Sequence, residues 1–333
     1  MGRSVERGTL WSIVLAGGEG TRMCPFIERW LGTSRPKQYC SFFGSHSLLS
    51  RTVTRLTRFI EPRRVVTVIG RGHREYLDDG QFVGRIIEQP CGRGTGPGVF
   101  LPAAHILAED PEATVVISPS DHFISPEAVF ARRIAEASDL LRDEPERIIL
   151  IGAVPKGPEQ EYGWIEPDAC APFRCTNDAG SSLRKVKCFR EKPHRVEALH
   201  CFRCGHYWNT MIVVARLRTL WDEARRRRPR TMRRFETLRD LVQLVRSGRL
   251  PEEMEGSASE RLYASLPPFD LCRDLLAPAA TSCLLLPLHE VVWNDLGRPE
   301  RLLQVLDEAG CLPNFPVEIA QEFVRSRSVA TTS

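Results

Sequence analysis

Leu10-Trp11-Ser12-Ile13-Val14-Leu15-Ala16-Gly17-Gly18-Glu19-Gly20-Thr21-Arg22 is the stretch on which the reading of this chain turns. Trp11–Ala16 is a short, nearly unbroken apolar run, the pattern of a strand covered on both faces. It ends in Gly17, Gly18 and Gly20. A glycine-rich turn at the carboxyl end of a strand lets backbone N–H groups approach and cradle phosphate oxygens. A GxGxxG dinucleotide fingerprint begun at Gly18 would need glycine where Met23 stands. A Walker A loop would end in Gly-Lys-Ser/Thr, which is absent. A nucleotide bound here is therefore held in a third way, with Arg22 supplying positive charge at the end of the loop. A tight turn without a ligand is the competing reading.

Outward from that strand, apolar runs alternate with helical patterns. Strand-like runs are Trp11–Ala16, Val65–Gly70, Arg85–Glu88, Thr114–Ser118 and Ile148–Val154, with helices expected near Ser47–Phe59, Gly98–Ala108 and Pro126–Arg142. This alternation predicts right-handed crossovers and a doubly wound, mainly parallel α/β sheet. Beyond it, Tyr162–Glu166, Arg184–Phe189 and Trp208–Ala215 read as strands, with a small, polar loop at 175–182. Helices follow at Leu217–Arg227, Thr231–Ser247 and Ser257–Ala264, then strands at Ser282–Pro287 and Glu290–Trp293 and a helix at Pro299–Ala309. One domain is expected over 10–310, with a nucleotide half (about 10–155) and a β-rich second half (about 156–310). Residues 1–9 and 311–333 read as terminal extensions, and the last ~15 residues as a frayed tail.

The chain has 333 residues, of which 46 are Lys or Arg and 42 Asp or Glu, a formal charge of +4. Apolar residues are 42% and charged residues 26%, an ordinary globular balance. A charge of +4 over this length does not point to nucleic acid. The arginine run at 225–228, with Arg230, Arg233 and Arg234, has only Phe235 as a neighbouring aromatic and reads as solvated helix and loop. No window approaches the ~18 apolar residues of a membrane span. Leu10–Ala16 runs into glycines without a small-x-small cleavage site, so it is no signal peptide. A cytoplasmic protein is expected. The 11 cysteines are scattered, and His200-Cys201-Phe202-Arg203-Cys204-Gly205-His206 lacks the second CxxC pair of a structural zinc site. Ordinary reduced thiols are expected.

Arg35-Pro36-Lys37-Gln38-Tyr39 follows the glycine loop closely. Pro36 fixes the backbone and aims Lys37, a compact charge suited to phosphate. With these two motifs the chain resembles the sugar-1-phosphate nucleotidyltransferases, most of all the mannose-1-phosphate guanylyltransferase branch. Further matches come in order: Glu88-Gln89-Pro90 with Gly92-Arg93-Gly94-Thr95-Gly96-Pro97, Pro119-Ser120-Asp121-His122 and Glu161-Tyr162-Gly163-Trp164-Ile165. Arg190-Glu191-Lys192-Pro193, Trp208-Asn209-Thr210 and Trp293-Asn294-Asp295-Leu296-Gly297 complete the set, and the resemblance covers roughly Trp11 to Ala309. Departures are Met23-Cys24 where many relatives have Leu-Trp, Gly94 and Gly96 for Asn and Ala, Met211 for Gly, and Asn294 for Ser.

The resemblance implies a Rossmann-like sheet of the nucleotidyltransferase type with a small β-rich region on the sugar side. It implies attack by a sugar-1-phosphate oxygen on the α-phosphorus of a nucleoside triphosphate, with pyrophosphate leaving. Mutual repulsion of the anions calls for cations that hold the groups in line. The implied catalytic residues are Arg22 and Lys37. Nucleotide contacts are implied at Leu15, Ala16, Gly17, Gly18, Gly20, Thr21, Glu88, Pro90, Arg93 and Thr95. Sugar-phosphate contacts are implied at His122, Tyr162, Gly163, Glu191, Lys192 and Asn209. Magnesium is the implied cofactor, held by Asp121 and Asp295, since a hard cation that keeps its waters needs only one or two carboxylates. For Asp121 a helix N-cap is the competing role. No general base is required, because the attacking phosphate is already ionised.

GTP and mannose-1-phosphate are the expected substrates. The alternatives are the same chemistry with another base or sugar, such as GDP-heptose or an ADP- or UDP-sugar, and an idle relative that binds nucleotide-sugar and regulates a partner. No nucleic acid or membrane partner is expected, and homo-oligomerisation stays open. With 24 residues after Ala309, neither an isomerase domain nor a left-handed β-helix is expected.

Overall fold

Nine strands form one central sheet in a computed structural model that describes residues 10–77, 83–172 and 183–330. Residues 1–9 and the loop 175–182 lie outside the described residues, as do 331–333. The strands are β1 (Leu10–Ala16), β2 (Val65–Ile69), β3 (Arg85–Glu88), β4 (Thr114–Pro119), β5 (Phe123–Ser125), β6 (Ile148–Ala153), β7 (Trp164–Pro172), β8 (Arg184–Arg190), β9 (Tyr207–Arg216), β10 (Cys283–Leu288) and β11 (Val292–Asn294). The helices are α1 (Cys24–Leu31), α2 (Leu48–Thr57), α3 (Thr95–Glu109), α4 (Glu127–Asp143), α5 (Arg195–Arg203), α6 (Leu217–Arg227), α7 (Pro229–Arg246), α8 (Glu253–Ala264), α9 (Pro299–Glu308) and α10 (Val317–Ala330).

The sheet order is β3-β2-β1-β4-β9-β6-β10-β8-β7, with β5 and β11 pairing apart from it. Strands β3, β2, β1 and β4 are parallel, with Ile13 in register with Val66 and Ile117. β9 then runs antiparallel between β4 and β6, and β8 is antiparallel to both β10 and β7. The sheet is thus mixed rather than mainly parallel. An apolar run covered on both faces looks alike whichever way the chain travels, so the alternation of runs could not show that β9 and β8 are reversed.

Period-two alternation in β1 feeds two cores. Trp11 and Ile13 pack with Phe100, Leu220, Trp221 and Phe235 from α3, α6 and α7. Val14 and Ala16 face Leu49, Val53, Phe130 and Ile134 from α2 and α4. Helices therefore cover both faces. A third cluster joins α1, α9 and α10 through Phe26, Phe42, Leu302, Leu306, Phe315 and Ala320. As far as residue 330, α10 corrects the expectation of a frayed tail: Phe323 stacks edge-on against Phe26 at 6.0 Å, and this contact between distant stretches gives the segment something to order against.

Local signals set several boundaries. The Ser47 hydroxyl accepts from Ser50 N at 3.2 Å and starts α2. α1, unforeseen from the sequence, has a proline in its first turn and stops at left-handed Gly32. α3 opens at Thr95, three residues before the expected Gly98, because Thr-Gly-Pro carries no apolar period. The arginine run is largely paired: Arg227 with Glu223 at 2.6 Å, Arg228 with Asp274 at 3.2 Å and Arg225 with Asp222 at 3.3 Å. Cys201 of α5 is buried, while Cys204, just after the helix, is exposed beside His200. No helix among the described residues is long and apolar enough to cross a membrane.

Candidate active site

The carboxyl ends of β1 to β4 open onto a cavity of about 670 Å³, at the place where open α/β sheets take ligands. Its floor is the glycine loop. Gln38 donates to the carbonyls of Ala16 at 2.9 Å and Gly18 at 2.7 Å, and Gln89 to that of Gly17 at 3.2 Å. With these carbonyls engaged from behind, N–H groups are what the loop has to offer an anion. A Cβ at Gly17 would stand 2.2 Å from the Gln89 amide nitrogen, so glycine is needed for the amide to come this close. Gly20 has φ +64°, and a Cβ there would meet Lys37 Cβ at 2.9 Å.

Lys37 is buried under that loop, its backbone in a short turn over Lys37–Tyr39. Its ammonium lies 2.7 Å from Asp121 Oδ2 and also donates to the backbone carbonyl of Asp295. Burial is the largest influence on Asp121 and opposes its ionisation, but the Lys37 charge, the neighbouring His122 and the hydrogen bond from Lys37 together outweigh it and hold the carboxyl below its ordinary range. Burial pushes the His122 imidazole down, favouring its neutral form. His122 stands edge-on to Trp293 at 5.2 Å and lines the cavity beside Asp121.

Asp295 follows β11. Its Oδ1 accepts from Tyr162 OH, Arg301 Nη1 and Gly297 N, each at 2.9 Å. Its Oδ2 faces Arg22 Nη2 at 3.2 Å. Burial opposes its charge too, yet Lys37 and Arg301 hold the carboxyl far below the usual range. Arg22 stays half-exposed and pairs with Glu161 at 3.2 Å as well.

The far wall is formed by Gln89, Pro90, Cys91, Gly92, Gly94 and Thr95. This loop is stapled to Phe269–Leu271: Gly96 N donates to Phe269 O at 3.1 Å, and Phe269 N to Arg93 O at 3.1 Å. Thr95 Oγ1 donates to Asp270 at 2.8 Å and accepts from Leu271 N at 2.8 Å. A Cβ at Gly96 would sit 2.0 Å from the Phe269 ring, and one at Gly94 2.5 Å from its carbonyl. The two glycines that depart from the family pattern are thus matched to Phe269. Gly96→Ala is expected to cost about 1–3 kcal/mol by overpacking. Adding Phe269→Leu should recover part of that loss in a urea titration; no recovery would count against this packing.

The remaining proposed contacts divide. Leu15, Gly17, Gly18, Gly20, Pro90, Thr95, Asp121 and His122 line the cavity; Ala16 lies beneath it, and Thr21 and Arg22 lead away from the loop. Glu88 instead accepts from Gly72 N at 3.0 Å, and Arg93 donates to the Tyr263 carbonyl at 3.2 Å. Gly163, Glu191 and Asn209 come together: a Cβ at Gly163 would stand 2.8 Å from Glu191 Oε2 and 3.4 Å from Asn209 Cβ. Lys192 joins Glu191 at 3.5 Å with φ +44°. Tyr162 borders a separate cavity of about 250 Å³ instead, with Arg301, Trp208 and Trp293.

A hard cation fits the carboxylates here, with Asp121 Oδ1 the open position and Asp295 Oδ2 shared with Arg22. Among the described residues, Asp121 Oδ1 has His122 at 3.8 Å as its partner, and Asp295 Oδ2 has Arg22 at 3.2 Å. Among the described residues no three His, Cys, Asp or Glu side chains form a cage of their own. Two carboxylate oxygens completed by substrate phosphates and water match the preference of magnesium.

The nucleotidyl transferase family model matches residues 11–309. The chain belongs to the nucleotidyl transferase family. It is 29% identical over 227 residues, 66% of this chain, to mannose-1-phosphate guanylyltransferase 2 of Escherichia coli O157:H7. It is 26% identical over 304 residues, 90% of this chain, to the xanthan biosynthesis protein XanB of Xanthomonas campestris pv. campestris. It spans 45% and 60% of the lengths of these two relatives. A solved structure from Thermus thermophilus, described as a mannose-1-phosphate geranyltransferase, shares the fold with a TM-score of 0.69 at 24% identity. The alignment covers 89% of this chain and 79% of that one.

Within this nucleotidyl transferase, Gln38, Gln89, Phe269, Arg301 and the pairing role of Glu161 had no assignment from sequence. Gln38, Gln89 and Glu161 lie inside motifs that were read, and a glutamine next to a glycine loop is a usable signal for an amide clamp. Phe269 carries no local signal, because its partners Arg93 and Gly96 lie more than 100 positions away; Arg301 lies six positions after Asp295, but its other partner, Glu161, is 140 positions away.

Proposed function

We propose that this nucleotidyl transferase joins GTP and mannose-1-phosphate to give GDP-mannose and pyrophosphate. The observation that carries the chemistry is the pair of buried Lys37 with Asp121 under a glycine loop whose carbonyls are tied back, at one end of the 670 Å³ cavity. The names of the curated relatives support the choice of base and sugar.

In this reading the triphosphate lies along the glycine loop, with the base toward Gln89–Thr95. Lys37 and Arg22 spread positive charge over the phosphates and hold the α-phosphorus in line with the incoming oxygen. That oxygen forms the new P–O bond, the bond to the β-phosphate breaks, and pyrophosphate leaves with the electron pair. Asp121 and Asp295 would hold magnesium, which when bound neutralises phosphate charge and favours the leaving group. Gly163, Glu191, Lys192 and Asn209 would grip the sugar phosphate, with Tyr162 bracing Asp295 from behind.

The test is pyrophosphate release with four nucleoside triphosphates, each offered mannose-1-phosphate or glucose-1-phosphate. Release is expected with GTP and mannose-1-phosphate, and EDTA should abolish it. Another productive pair would keep the reaction and overturn the substrates. Nucleotide binding without release across the panel would favour a regulator.

A further inference from the structure

Behind the cavity, Arg301 of α9 keeps only 10% of its side chain exposed. Its Nη1 donates to Asp295 Oδ1 at 2.9 Å and its Nη2 to Glu161 Oε2 at 3.0 Å. Arg22 meets the same two carboxylates from the other side, through Asp295 Oδ2 and Glu161 Oε2, both at 3.2 Å. Arg22, Asp295, Arg301 and Glu161 thus close into a ring of alternating charge. Tyr162 pins it: the Arg301 guanidinium lies 4.4 Å from the Tyr162 ring centroid, and the phenol donates to Asp295. Glu159 adds a contact to Arg301 at 2.9 Å, and Arg298 also reaches Glu161.

We propose that Arg301 and Glu161 are positioning residues that fix the exposed guanidinium of Arg22 where the transferred phosphoryl group passes. The inference rests on the role given to Arg22 above. Arg22 alone is a long, half-exposed side chain, which in water would sample many rotamers. The ring holds both of its terminal nitrogens with two carboxylates, and those carboxylates are themselves held by a buried arginine. Charge that is already in place does not have to be reorganised as the reaction proceeds. Arg301 does not line the 670 Å³ cavity, so it acts through the ring.

A double-mutant cycle tests this. Arg22→Ala should lower kcat by about 10²–10³-fold. Arg301→Met should lower kcat by roughly 10–100-fold, because ångström-scale misplacement of a catalytic group has effects of that size. Arg301→Lys should recover part of the loss, and KM for the nucleotide should stay within a factor of about three. Combined with Arg22→Ala, Arg301→Met should add almost nothing, since there is no longer a guanidinium to position. Multiplying losses, or a loss carried by KM alone, overturns the proposal. If Arg301→Met does not fold, Glu161→Gln serves in the same cycle with the same expectation. A near-normal Arg22→Ala enzyme would instead sink the role of Arg22 itself, and that result is read before the cycle is closed.

Discussion

Lys37→Met is expected to lower turnover by about 10³-fold, the upper end of what losing one preorganised charge does to a rate. The same change should lower stability by about 3 kcal/mol, the lower end for a broken buried pair, because Asp121 keeps 29% of its side chain exposed. Methionine preserves the length and volume of the stem, so the loss is of charge rather than of packing. The sign of the pH effect follows. Asp121 has a depressed carboxyl in the folded protein, so its contribution to stability is complete above the ordinary carboxylate range and is lost as pH falls through the depressed value. Without Lys37 the depression is relieved, and the acid limb of stability against pH should flatten. A variant with wild-type turnover, or with an unchanged acid limb, would remove Lys37 from the proposed machinery.

Asp295→Ala should have a comparable effect on the fold, about 3–5 kcal/mol, because it strands buried partners. Arg301, Tyr162 OH and Gly297 N all lose an acceptor at 2.9 Å, and Arg22 loses one of its two anchors. Turnover should fall by about 10²–10³-fold together with it. Asp295→Asn separates the two effects. It keeps an acceptor for the phenol and the amide but removes the negative charge, so most of the stability should return while the rate should not. Chemical denaturation midpoints beside kcat for the two variants decide this. Full recovery of rate in the Asn variant would mean that the charge of Asp295 is not needed.

Much of the cavity could be read from the sequence because its parts are contiguous. Gly17, Gly18 and Gly20 announce a tight glycine turn by their spacing, and Pro36 announces a fixed backbone before Lys37. The continuous apolar runs at 65–69, 114–119 and 148–153 mark covered strands well. The same runs do not reveal direction, which is why β9 and β8 came out reversed from a mainly parallel expectation. The loop at 92–96 carries implied nucleotide contacts at Arg93 and Thr95, yet the use of glycine at 94 and 96 makes sense only against Phe269. Glu88 and Arg93 show the opposite case. Their positions in the motifs suggested nucleotide contacts, and the fold gives them the turn at Gly72 and the Tyr263 carbonyl as partners.

The sequence by itself determined the α/β character, the glycine turn after β1 and the lysine beneath it, because each depends on neighbours within a few residues. Tertiary structure alone decided the mixed sheet, the packed C-terminal helix and the closed ring of Arg22, Asp295, Arg301 and Glu161. The ring joins partners up to 273 positions apart, from Arg22 to Asp295. A charge whose partner lies that far along the chain looks like any solvated surface charge until folding removes the water and leaves the partner as its only source of compensation.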